Sequence, residues 1–477
     1  MNDKKYNLNG KKVLLMGLGA LGGGLATAKW LLAYGAELTI TDLRTADKLR
    51  PSLSKLNKKK IKFVLGKHRE SDFLNNDIVV VNPGVSFRNK FVLLAKKHGK
   101  QIENELTLFY KSYQSPTVAV TGTRGKTTTV NWLKHFMKTK YPRAALAGNS
   151  PDSQLLAKAD LHLNKTPFVL ELPSFLLEFA EHIPGPNVAV ITNIYRDHLN
   201  RYRCMQDYAL VKASISKNQN KEQYLILNAS NEWTPFFIKQ KPKSKILFFS
   251  LKPLIAKQDG IFIDKNLSIY IKKGKNKKLF YDAQVFIERW GRHNLENLLA
   301  SALAANTFGV PLPRIVKSID SLPQIKFREQ VVFKSKRLEI INDTTATSPE
   351  ATIAAIERFG HKNANLILIT GGTDMRLDYK KWAKIVKKYV RLGNIIFLKG
   401  SATKKMLTNL KYRGTSLLEN LSDCLDRAIK IALGSEHKSI ILFSPGAKSF
   451  EKFKHEFDRG ERFNELVNKI KPYLLSR

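Results

Sequence analysis

The stretch TVAVTGTRGKTTTVNW, residues 117–132, decides how the middle of this chain folds. Its first five residues form an apolar, β-branched run that predicts a strand, and the GKT of residues 125–127 opens a predicted helix after a glycine-rich bend. Backbone N–H groups turned inward at Gly122 and Gly125, together with the positive end of the helix, can bind a nucleotide phosphate. The general P-loop pattern requires a glycine where this chain has Val120, so the stretch predicts a narrower kind of phosphate loop. The alternative is a chance glycine turn followed by an exposed lysine.

Length and composition predict a multidomain protein with real cores. The 477 residues suffice for about three domains of ~150 residues. A hydrophobic content of 43% argues against disorder. The polar opening MNDKKYNLNG and the lack of any apolar run near ~18 residues predict no signal peptide and no membrane insertion. Two cysteines, Cys204 and Cys424, cannot build a zinc site or a disulfide framework alone. We therefore expect a cytoplasmic, reduced and monomeric protein.

The formal net charge of +41 raises the hypothesis of a nucleic-acid partner. The lysines are scattered along the whole chain, with local runs at residues 58–60 and 272–278. No helix-turn-helix, zinc-finger or RNA-binding aromatic motif accompanies them. We expect a lysine-rich solvated surface, no specific nucleic-acid partner, and nonspecific polyanion binding at low salt.

Residues 11–44 predict a strand, a glycine turn, a helix and a second strand. Gly17, Gly19 and Gly22 supply the pattern G-x-G-x-x-G, and Asp42 ends the second strand. Taken alone, this is the dinucleotide-binding fingerprint, in which the acidic residue binds a ribose. An NAD-dependent dehydrogenase is therefore one alternative function.

The rest of the chain alternates short apolar runs with helical segments, which predicts an α/β fold with mostly parallel sheets. The predicted buried strands are 77–85, 117–121, 168–172, 188–193, 224–228, 338–343, 364–372, 394–400 and 439–446. Residues 260–263 and 268–271 predict hairpins on a sheet edge, and residues 293–309 predict an apolar helix ended by a glycine. We expect three domains: a Rossmann-like domain in 1–115, a central P-loop-type ATPase domain in 116–321, and a C-terminal Rossmann-like domain in 322–477.

Several motifs, in order over nearly the whole chain, resemble those of the Mur ligase family. The loop T-G-T-x-G-K-T-T is similar to the ATP loop of that family. Further similar segments are ELPSF (171–175), TNIYRDHLNRY (192–202), GRHNLEN (291–297) and IINDTTATSPEAT (340–352). Two late motifs, GGTDMRLDY (371–379) and SPGAKSFEKFKHEFDRG (444–460), resemble those of the family members that add D-glutamate. The resemblance implies a first domain that holds UDP and not NAD.

The resemblance also implies a reaction and its participants. The substrates would be UDP-N-acetylmuramoyl-L-alanine, D-glutamate and ATP, joined through an acyl phosphate, with two Mg²⁺ ions and a carbamylated Lys212. Catalysis would involve Lys126, His198 and Lys212, and the metal ligands would be Thr127, Glu171, His198 and Lys212. An unmodified lysine would be a cation pointing at metals and phosphates, whereas a carbamate is an anionic oxygen ligand.

The binding residues implied by the resemblance fall into three groups. ATP would be bound by Gly122, Thr123, Arg124, Gly125, Lys126, Thr127, Thr128, Asn294, Arg328 and Asp343. The UDP-linked substrate would be bound by Gly19, Leu21, Asp42, Leu43, Arg44, Asn82, Gly84, Asn149 and Ser174. The amino acid would be bound by Thr347, Arg376, Ser449 and Phe450.

Each of these assignments has a plainer alternative. His198 could be a core histidine hydrogen-bonded to Asp197, and Lys212 one surface lysine among many. Arg328 and Arg376 could be solvent-facing arginines. Asn149 could merely hold its loop, and Asp42 with Arg44 could cap the turn after a strand.

Four positions depart from the family pattern: Pro173 replaces a serine, Leu176 a glutamine, Met375 a lysine expected to meet D-glutamate, and Glu456 stands where a phenylalanine occurs. A Mur-like ligase with another acceptor amino acid is therefore the main rival function. A folylpolyglutamate synthase would share the ATP loop but not the first domain, and a nucleic-acid-binding ATPase would explain only the charge.

Overall fold

The computed structural model describes residues 6–19, 23–57, 60–148, 153–159, 166–199, 201–360, 364–412 and 417–475. The chain divides into two compact units. The first consists of Met1–Arg289 and Asn294–Leu322, and the second of Trp290–His293 and Pro323–Arg477.

The first unit begins with a parallel sheet in the order β3-β2-β1-β4-β5. Its strands are β1 Lys12–Met16, β2 Glu37–Asp42, β3 Ile61–Leu65, β4 Ile78–Val81 and β5 Gln101–Glu103. The helices of this part are α1 Gly23–Ala33, α2 Ala46–Leu53, α3 Glu70–Leu74, α4 Lys90–Lys97 and α5 Glu105–Ser112. Val13 to Met16 and Ile78 to Val81 are buried, as expected for inner strands covered on both faces. The predicted Rossmann-like arrangement is therefore confirmed.

A second sheet of the same unit follows, in the order β14-β13-β12-β11-β10-β9-β6-β8-β7. Its strands are β6 Thr117–Thr121, β7 Ala145–Gly148, β8 Phe168–Glu171, β9 Val188–Ile191, β10 Tyr224–Asn228, β11 Lys245–Ser250, β12 Gly260–Ile263, β13 Ser268–Lys273 and β14 Asn276–Asp282. The helices are α6 Lys126–Lys138, α7 Leu155–Ala159, α8 Ser174–Leu177, α9 Met205–Ala213, α10 Thr234–Lys239, α11 Gln284–Trp290, α12 Leu295–Thr307 and α13 Leu312–Ser318.

The pairing of these strands places the phosphate loop in the interior of the sheet. Strand β6 lies between β8 and β9, and all three run parallel, so their carboxyl ends share one edge. Strands β12, β13 and β14 are antiparallel neighbours at the far end of the sheet, which confirms the predicted hairpins.

The predicted apolar helix begins slightly later than the sequence pattern suggested. Residues Arg292–Asn294 form a 3₁₀ turn, and α12 then runs from Leu295 to Thr307. Gly309 has φ +105°, a conformation in which glycine is favoured, and its N–H donates to the Asn306 carbonyl. Burial of Leu295, Leu298 and Leu299 stabilises α12 by roughly 1.5–3 kcal/mol for each side chain.

The second unit contains a sheet in the order β15-β16-β20-β17-β18-β19, in which β15 and β16 are antiparallel and the other pairs parallel. Its strands are β15 Gln330–Lys334, β16 Leu338–Asn342, β17 Asn365–Thr370, β18 Ile395–Leu398, β19 Leu417–Leu418 and β20 Ser439–Phe443. Its helices are α14 Pro349–Gly360, α15 Lys380–Tyr389, α16 Ser401–Leu410, α17 Leu421–Leu433 and α18 Glu456–Leu475. The predicted α/β fold is thus confirmed here too. Across the described ranges, none of the helices is both long and apolar enough to cross a membrane.

Candidate nucleotide-binding site

The bend between β6 and α6 requires glycine at two positions. Gly122 has φ +146° and Gly125 has φ +80°, which L side chains rarely adopt. A Cβ at Gly122 would lie 1.9 Å from Thr192 Oγ1, and one at Gly125 would lie 2.3 Å from Asn297 Oδ1. Both the backbone conformation and the available space therefore select glycine, which argues against a chance turn.

The two residues that follow strand β9 fix the conformation of the loop. The Thr123 N–H donates to the Asn193 carbonyl and the Arg124 N–H to Asn193 Oδ1, both at 2.9 Å. The Thr192 hydroxyl donates to the Arg124 carbonyl at 2.7 Å. Neither Thr192 nor Asn193 was predicted as a site residue, although the motif TNIYRDHLNRY begins with both.

Two lysines donate to the same loop carbonyl. Lys126 Nζ donates to the carbonyls of Gly122 (2.9 Å) and Thr123 (3.0 Å). Lys212 Nζ donates to the Gly122 carbonyl at 2.9 Å and to Thr121 Oγ1 at 3.3 Å. Burial, and next the charge of Lys126, lower the pKa of Lys212 well below its ordinary value. Lys212 is 1% exposed, so the alternative of a surface lysine is wrong.

A hydroxyl and a carboxylate meet beside the loop. The Thr127 hydroxyl donates to Glu171 Oε1 at 3.1 Å, and Glu171 is buried at the end of β8. Thr128, the next residue, is buried in α6. Oxygen ligands of this kind fit a hard cation such as Mg²⁺.

His198 is not a core histidine. Its side chain is 48% exposed, its backbone φ is +54°, and its N–H donates to Asp197 Oδ1 at 2.8 Å. The imidazole centre lies 5.9 Å from that of Tyr208. The Tyr208 ring in turn faces Lys212 Nζ at 4.9 Å, so one aromatic ring links the two predicted residues.

The start of α12 also reaches the phosphate loop. Asn297 Nδ2 donates to Asn294 Oδ1 at 2.8 Å, and the Thr129 hydroxyl donates to Asn297 Oδ1 at 3.2 Å. The structure therefore brings the predicted Asn294 close to α6. Asn297 was not predicted as a site residue, although the quoted motif GRHNLEN ends with it.

In the first sheet, Asp42 organises the glycine turn. Its carboxylate accepts from the N–H groups of Leu18 (3.0 Å), Gly19 (3.1 Å) and Arg44 (2.8 Å). These contacts are those of the plainer alternative, in which Asp42 caps the turn after its strand. Leu43 and Arg44 are exposed.

The other residues predicted for the UDP-linked substrate lie in two places. Asn82 Oδ1 accepts from the Gly84 N–H at 3.2 Å in the turn after β4, and Ser174 is buried at the start of α8. Leu21, Gly22 and Asn149 lie outside the described residues.

In the second unit, Asp343 belongs to a buried cluster of charged side chains. It accepts from the Ser444 hydroxyl at 2.7 Å and from the Glu329 N–H at 3.1 Å. Burial, and next the charge of Glu329, raise the pKa of Asp343. Although burial acts in the opposite sense, His293 and Arg358 lower the pKa of Glu329, whose carboxylate pairs with both. Arg328, beside Glu329, is half-buried.

The residues predicted for the amino acid lie on loops at the carboxyl ends of strands β16, β17 and β20. Thr347 is half-buried and Ser449 is buried. Phe450 and Arg376 are exposed. Among the described residues the Ser449 Oγ has no hydrogen-bond partner. Arg376 has φ +58°, and its N–H donates to Asp374 Oδ1 at 2.9 Å.

Arg459 was missed as an individual site residue, although the quoted motif ends in DRG. Its side chain is fully buried and donates to the carbonyls of Thr344 (2.8 Å), Ala447 and Lys448 (both 3.2 Å). Burial lowers the pKa of Arg459 to about 10. The guanidinium thus ties the loop after β16 to the loop after β20.

A glycine phosphate loop in a parallel sheet, with a lysine and a carboxylate beside it, defines a nucleotide-binding α/β protein. Residues 11–104 match the family model "Mur ligase MurD-like, N-terminal domain", and residues 120–305 match "Mur ligase middle domain". The chain belongs to the Mur ligase family.

Similarity to individual proteins extends over the full length. The chain is 34% identical to the UDP-N-acetylmuramoylalanine–D-glutamate ligase of Roseiflexus, covering 96% of this chain and 99% of that protein. It is 35% identical to the ligase of the same name from Borreliella burgdorferi, covering 98% and 99%.

Solved structures show the same fold at lower identity. The UDP-N-acetylmuramate–alanine ligase MurC of Thermotoga maritima superposes with a TM-score of 0.59 at 18% identity, covering 98% of this chain and 100% of that one. MurF of Thermotoga maritima, in complex with ADP, superposes with a TM-score of 0.55 at 17% identity, covering 97% of this chain and 95% of that one.

Proposed function

We propose that this chain is an ATP-dependent ligase that adds D-glutamate to UDP-N-acetylmuramoyl-L-alanine in peptidoglycan precursor synthesis. The observation that carries the proposal is the phosphate loop with Lys126, Thr127, Glu171 and Lys212 around it, in a chain similar over its full length to D-glutamate ligases. We place the reaction in the cytoplasm, where ATP and nucleotide-linked sugars are available.

The work is divided among three domains. Residues 1–115 hold the UDP part of the substrate through the turns that follow β1, β2 and β4. Residues 116–321 bind ATP and transfer the phosphoryl group. Residues 322–477 bind the amino acid.

The chemistry proceeds in two displacements. A carboxylate oxygen of the alanyl group attacks the γ-phosphorus, ADP leaves, and an acyl phosphate forms. The amine of D-glutamate then attacks the acyl carbon, phosphate leaves, and the amine loses a proton. Because the protein forms no covalent bond with either substrate, its contribution is positioning and charge neutralisation.

Lys126 neutralises the phosphoryl group during transfer. Its ammonium now donates to two carbonyls of its own loop, so its donors are directed into the bend that receives phosphate. Thr127 and Glu171 would hold one Mg²⁺, and His198 with a carbamylated Lys212 a second. When bound, these ions neutralise the phosphate oxygens and polarise the reacting groups. Burial favours the neutral amine of Lys212, the form that reacts with carbon dioxide.

The residues predicted to bind the acceptor amino acid also favour a second candidate function, a ligase with a different acceptor. Met375 stands where the family has a lysine, and a thioether cannot neutralise a carboxylate. Leaving that charge unpaired in a closed site would cost several kcal/mol. We assign the cation to Arg376, which can form two hydrogen bonds to a carboxylate. A different, neutral acceptor is the alternative that Met375 favours.

One assay separates these functions. Purified protein receives MgATP and UDP-N-acetylmuramoyl-L-alanine with D-glutamate, L-glutamate or neutral D-amino acids, and phosphate release and product mass are followed. Phosphate release that requires D-glutamate, with a product heavier by one glutamyl residue, supports the proposal. Turnover only with a neutral amino acid would overturn the choice of acceptor, and stimulation by DNA or RNA would restore the nucleic-acid ATPase.

A titration tests the first domain separately. We expect UDP-N-acetylmuramoyl-L-alanine to bind and NADH to bind at least about 100-fold more weakly, a difference of ~2.7 kcal/mol. Tight NADH binding with no binding of the UDP compound would restore the dehydrogenase hypothesis.

A further inference from the structure

A buried ion pair ties the loop after β4 to the second sheet. The Glu178 side chain, just after α8, is fully buried, and Arg201 is 15% exposed. Arg201 Nε and Nη2 donate to the two carboxylate oxygens of Glu178 at 2.5 and 2.7 Å, a bidentate arrangement. The remaining capacity of the carboxylate is also used, because the Tyr202 hydroxyl donates at 2.8 Å and the Phe87 N–H at 3.2 Å.

The same guanidinium fixes the loop directly. Arg201 Nη1 donates to the Pro83 carbonyl and Nη2 to the Val85 carbonyl, each at 2.9 Å. With the Phe87 N–H held by Glu178, three backbone groups of residues 83–87 are bound by one ion pair. The ion pair therefore satisfies backbone hydrogen-bonding groups of the loop directly.

The loop and the ion pair connect the residues predicted to bind the UDP-linked substrate with those predicted to bind metal ions. Residues 82–84 carry Asn82 and Gly84, which are predicted to bind the UDP-linked substrate. Glu178 follows α8, seven positions after the predicted metal ligand Glu171. The N–H of Arg201 donates to the His198 carbonyl at 2.9 Å, so the guanidinium is anchored beside a second predicted ligand.

We infer that Glu178 and Arg201 are positioning residues for the ligation: they hold the β4–α4 loop, and with it the UDP-linked substrate, in register with the segments that carry Glu171 and His198. The inference rests on the proposed function for the identity of the substrate. It predicts that loosening the pair weakens use of the UDP-linked substrate while ATP binding on the loop 122–128 is preserved.

Two conservative variants test the pair. Arg201→Lys keeps a positive charge but loses the planar fork that serves four acceptors. Glu178→Gln keeps the shape but loses the carboxylate. The matched control is Arg314→Lys, since the exposed Arg314 also donates to a backbone carbonyl, that of Thr139 at 2.8 Å, and this carbonyl lies outside the β4–α4 loop.

The first readout needs no substrate. Amide hydrogen exchange in a peptide covering residues 82–91 should be at least about 10-fold faster in Arg201→Lys and Glu178→Gln than in wild type, while a peptide covering 117–132 is unchanged. The Arg314→Lys control should exchange like wild type. Unchanged exchange in both pair variants would overturn the claim that the pair holds the loop.

The second readout is kinetic, with the full-length enzyme. The KM for UDP-N-acetylmuramoyl-L-alanine should rise at least about 10-fold and the KM for ATP change less than about 2-fold. The double variant should be no worse than the poorer single variant, because the two residues act as one unit. Equal rises in both KM values, together with a lowered melting temperature, would show a general structural role and overturn the inference. If wild type fails to ligate, the proposed function fails, and hydrogen exchange still decides whether the pair holds the loop.

Discussion

The phosphate loop after β6 and the loop after β17 both follow inner parallel strands, but they are held in different ways. In the phosphate loop, side chains of Thr192 and Asn193 bind the backbone, and Lys126 and Lys212, the two lysines predicted for catalysis, donate into the bend. In the loop after β17, the backbone is anchored, since the Thr373 N–H donates to the Lys448 carbonyl and the Asp374 N–H to Ser401 Oγ, both at 2.8 Å. Its side chains Met375 and Arg376 point outward and are exposed.

This difference indicates which residues can be substituted without disturbing the structure and which cannot. Changing a glycine, Thr192 or Lys212 alters a buried contact network, so the ATP site tolerates little substitution. Changing Met375 or Arg376 alters exposed side chains on a backbone that other residues hold. The departures from the family pattern include Met375, on this second loop. We therefore expect catalysis to fail when the first loop is altered and substrate preference to change when the second is altered.

The largest effect is expected for Lys126→Ala. The substitution removes the cation aimed at the transferring phosphoryl group and no core packing, so kcat should fall by roughly 10³-fold. Phosphate release with saturating substrates measures this. Lys138→Ala, at an exposed position of the same helix, is the control and should retain full activity. Near wild-type turnover in Lys126→Ala would remove the phosphate-loop assignment.

Lys212→Ala should lower activity by about 100-fold, because a carbamate ligand to a cation is lost. Added formate or acetate should restore part of the activity by supplying an oxygen ligand. Lys217→Ala, which removes an exposed lysine paired with Glu181, serves as control and should show no dependence on these ions. Full activity of Lys212→Ala without added carboxylate would contradict the carbamate proposal.

On the second loop, Arg376→Ala should raise the KM for D-glutamate by at least ~10-fold, about 1.4 kcal/mol, with little change in the KM for ATP. Adding Met375→Lys to this variant should restore part of the lost affinity by returning a cation one position away. Lys380→Ala, an exposed lysine at the start of α15, is the control. An unchanged KM for D-glutamate would remove Arg376 from the pocket and direct attention to Lys405, which pairs with Asp374 at 2.5 Å.

The sequence predicted the inner strands well because each is a continuous apolar run between polar or glycine residues. Strands β6 and β10 have the bounds that the pattern predicted. Strands at sheet edges gave weaker patterns: β3 reads IKFVL and directly follows the lysine run 58–60, and β15 reads QVVFK and is only partly buried. Their pairing is decided by partners distant in the chain, which local propensity does not report.

The candidate site could be predicted where a motif fixes the backbone, and less well where it depends on distant contacts. Gly122, Gly125 and Lys126 stand in one short stretch whose spacing carries the geometry. Glu178 and Arg201 are far apart in the chain, and nothing local in either segment indicates a bidentate pair. For Asp42 the fingerprint predicts a ligand contact, which stays a prediction, and it does not indicate the three backbone N–H groups that the carboxylate binds.

The smallest expected effect is on the pH dependence of stability, and it concerns Asp343, which directly follows β16. Burial and the charge of Glu329 raise the pKa of Asp343 from 3.8 to about 7 in the folded protein. Between these values the unfolded carboxyl loses its proton while the folded one retains it. The stabilisation is therefore present at low pH and is lost as pH rises through about 7. Asp343→Asn lacks this titration, so its free energy of unfolding relative to wild type should improve by on the order of 1 kcal/mol between about pH 5 and pH 8. Urea unfolding followed by tryptophan fluorescence measures the difference.

The titration of Glu329 and His293 cannot account for this change in the free energy of unfolding between Asp343→Asn and wild type. Glu329 has a lowered pKa, so its stabilisation is lost only as pH falls below about 4.5, outside the measured window. His293 has a raised pKa, and it loses stabilisation as pH rises in both proteins, so its contribution largely cancels in the comparison. Asp378→Asn, at an exposed position of the loop after β17, should show the same pH dependence as wild type. If Asp343→Asn and Asp378→Asn behave alike between pH 5 and 8, Asp343 is ionised in the folded protein.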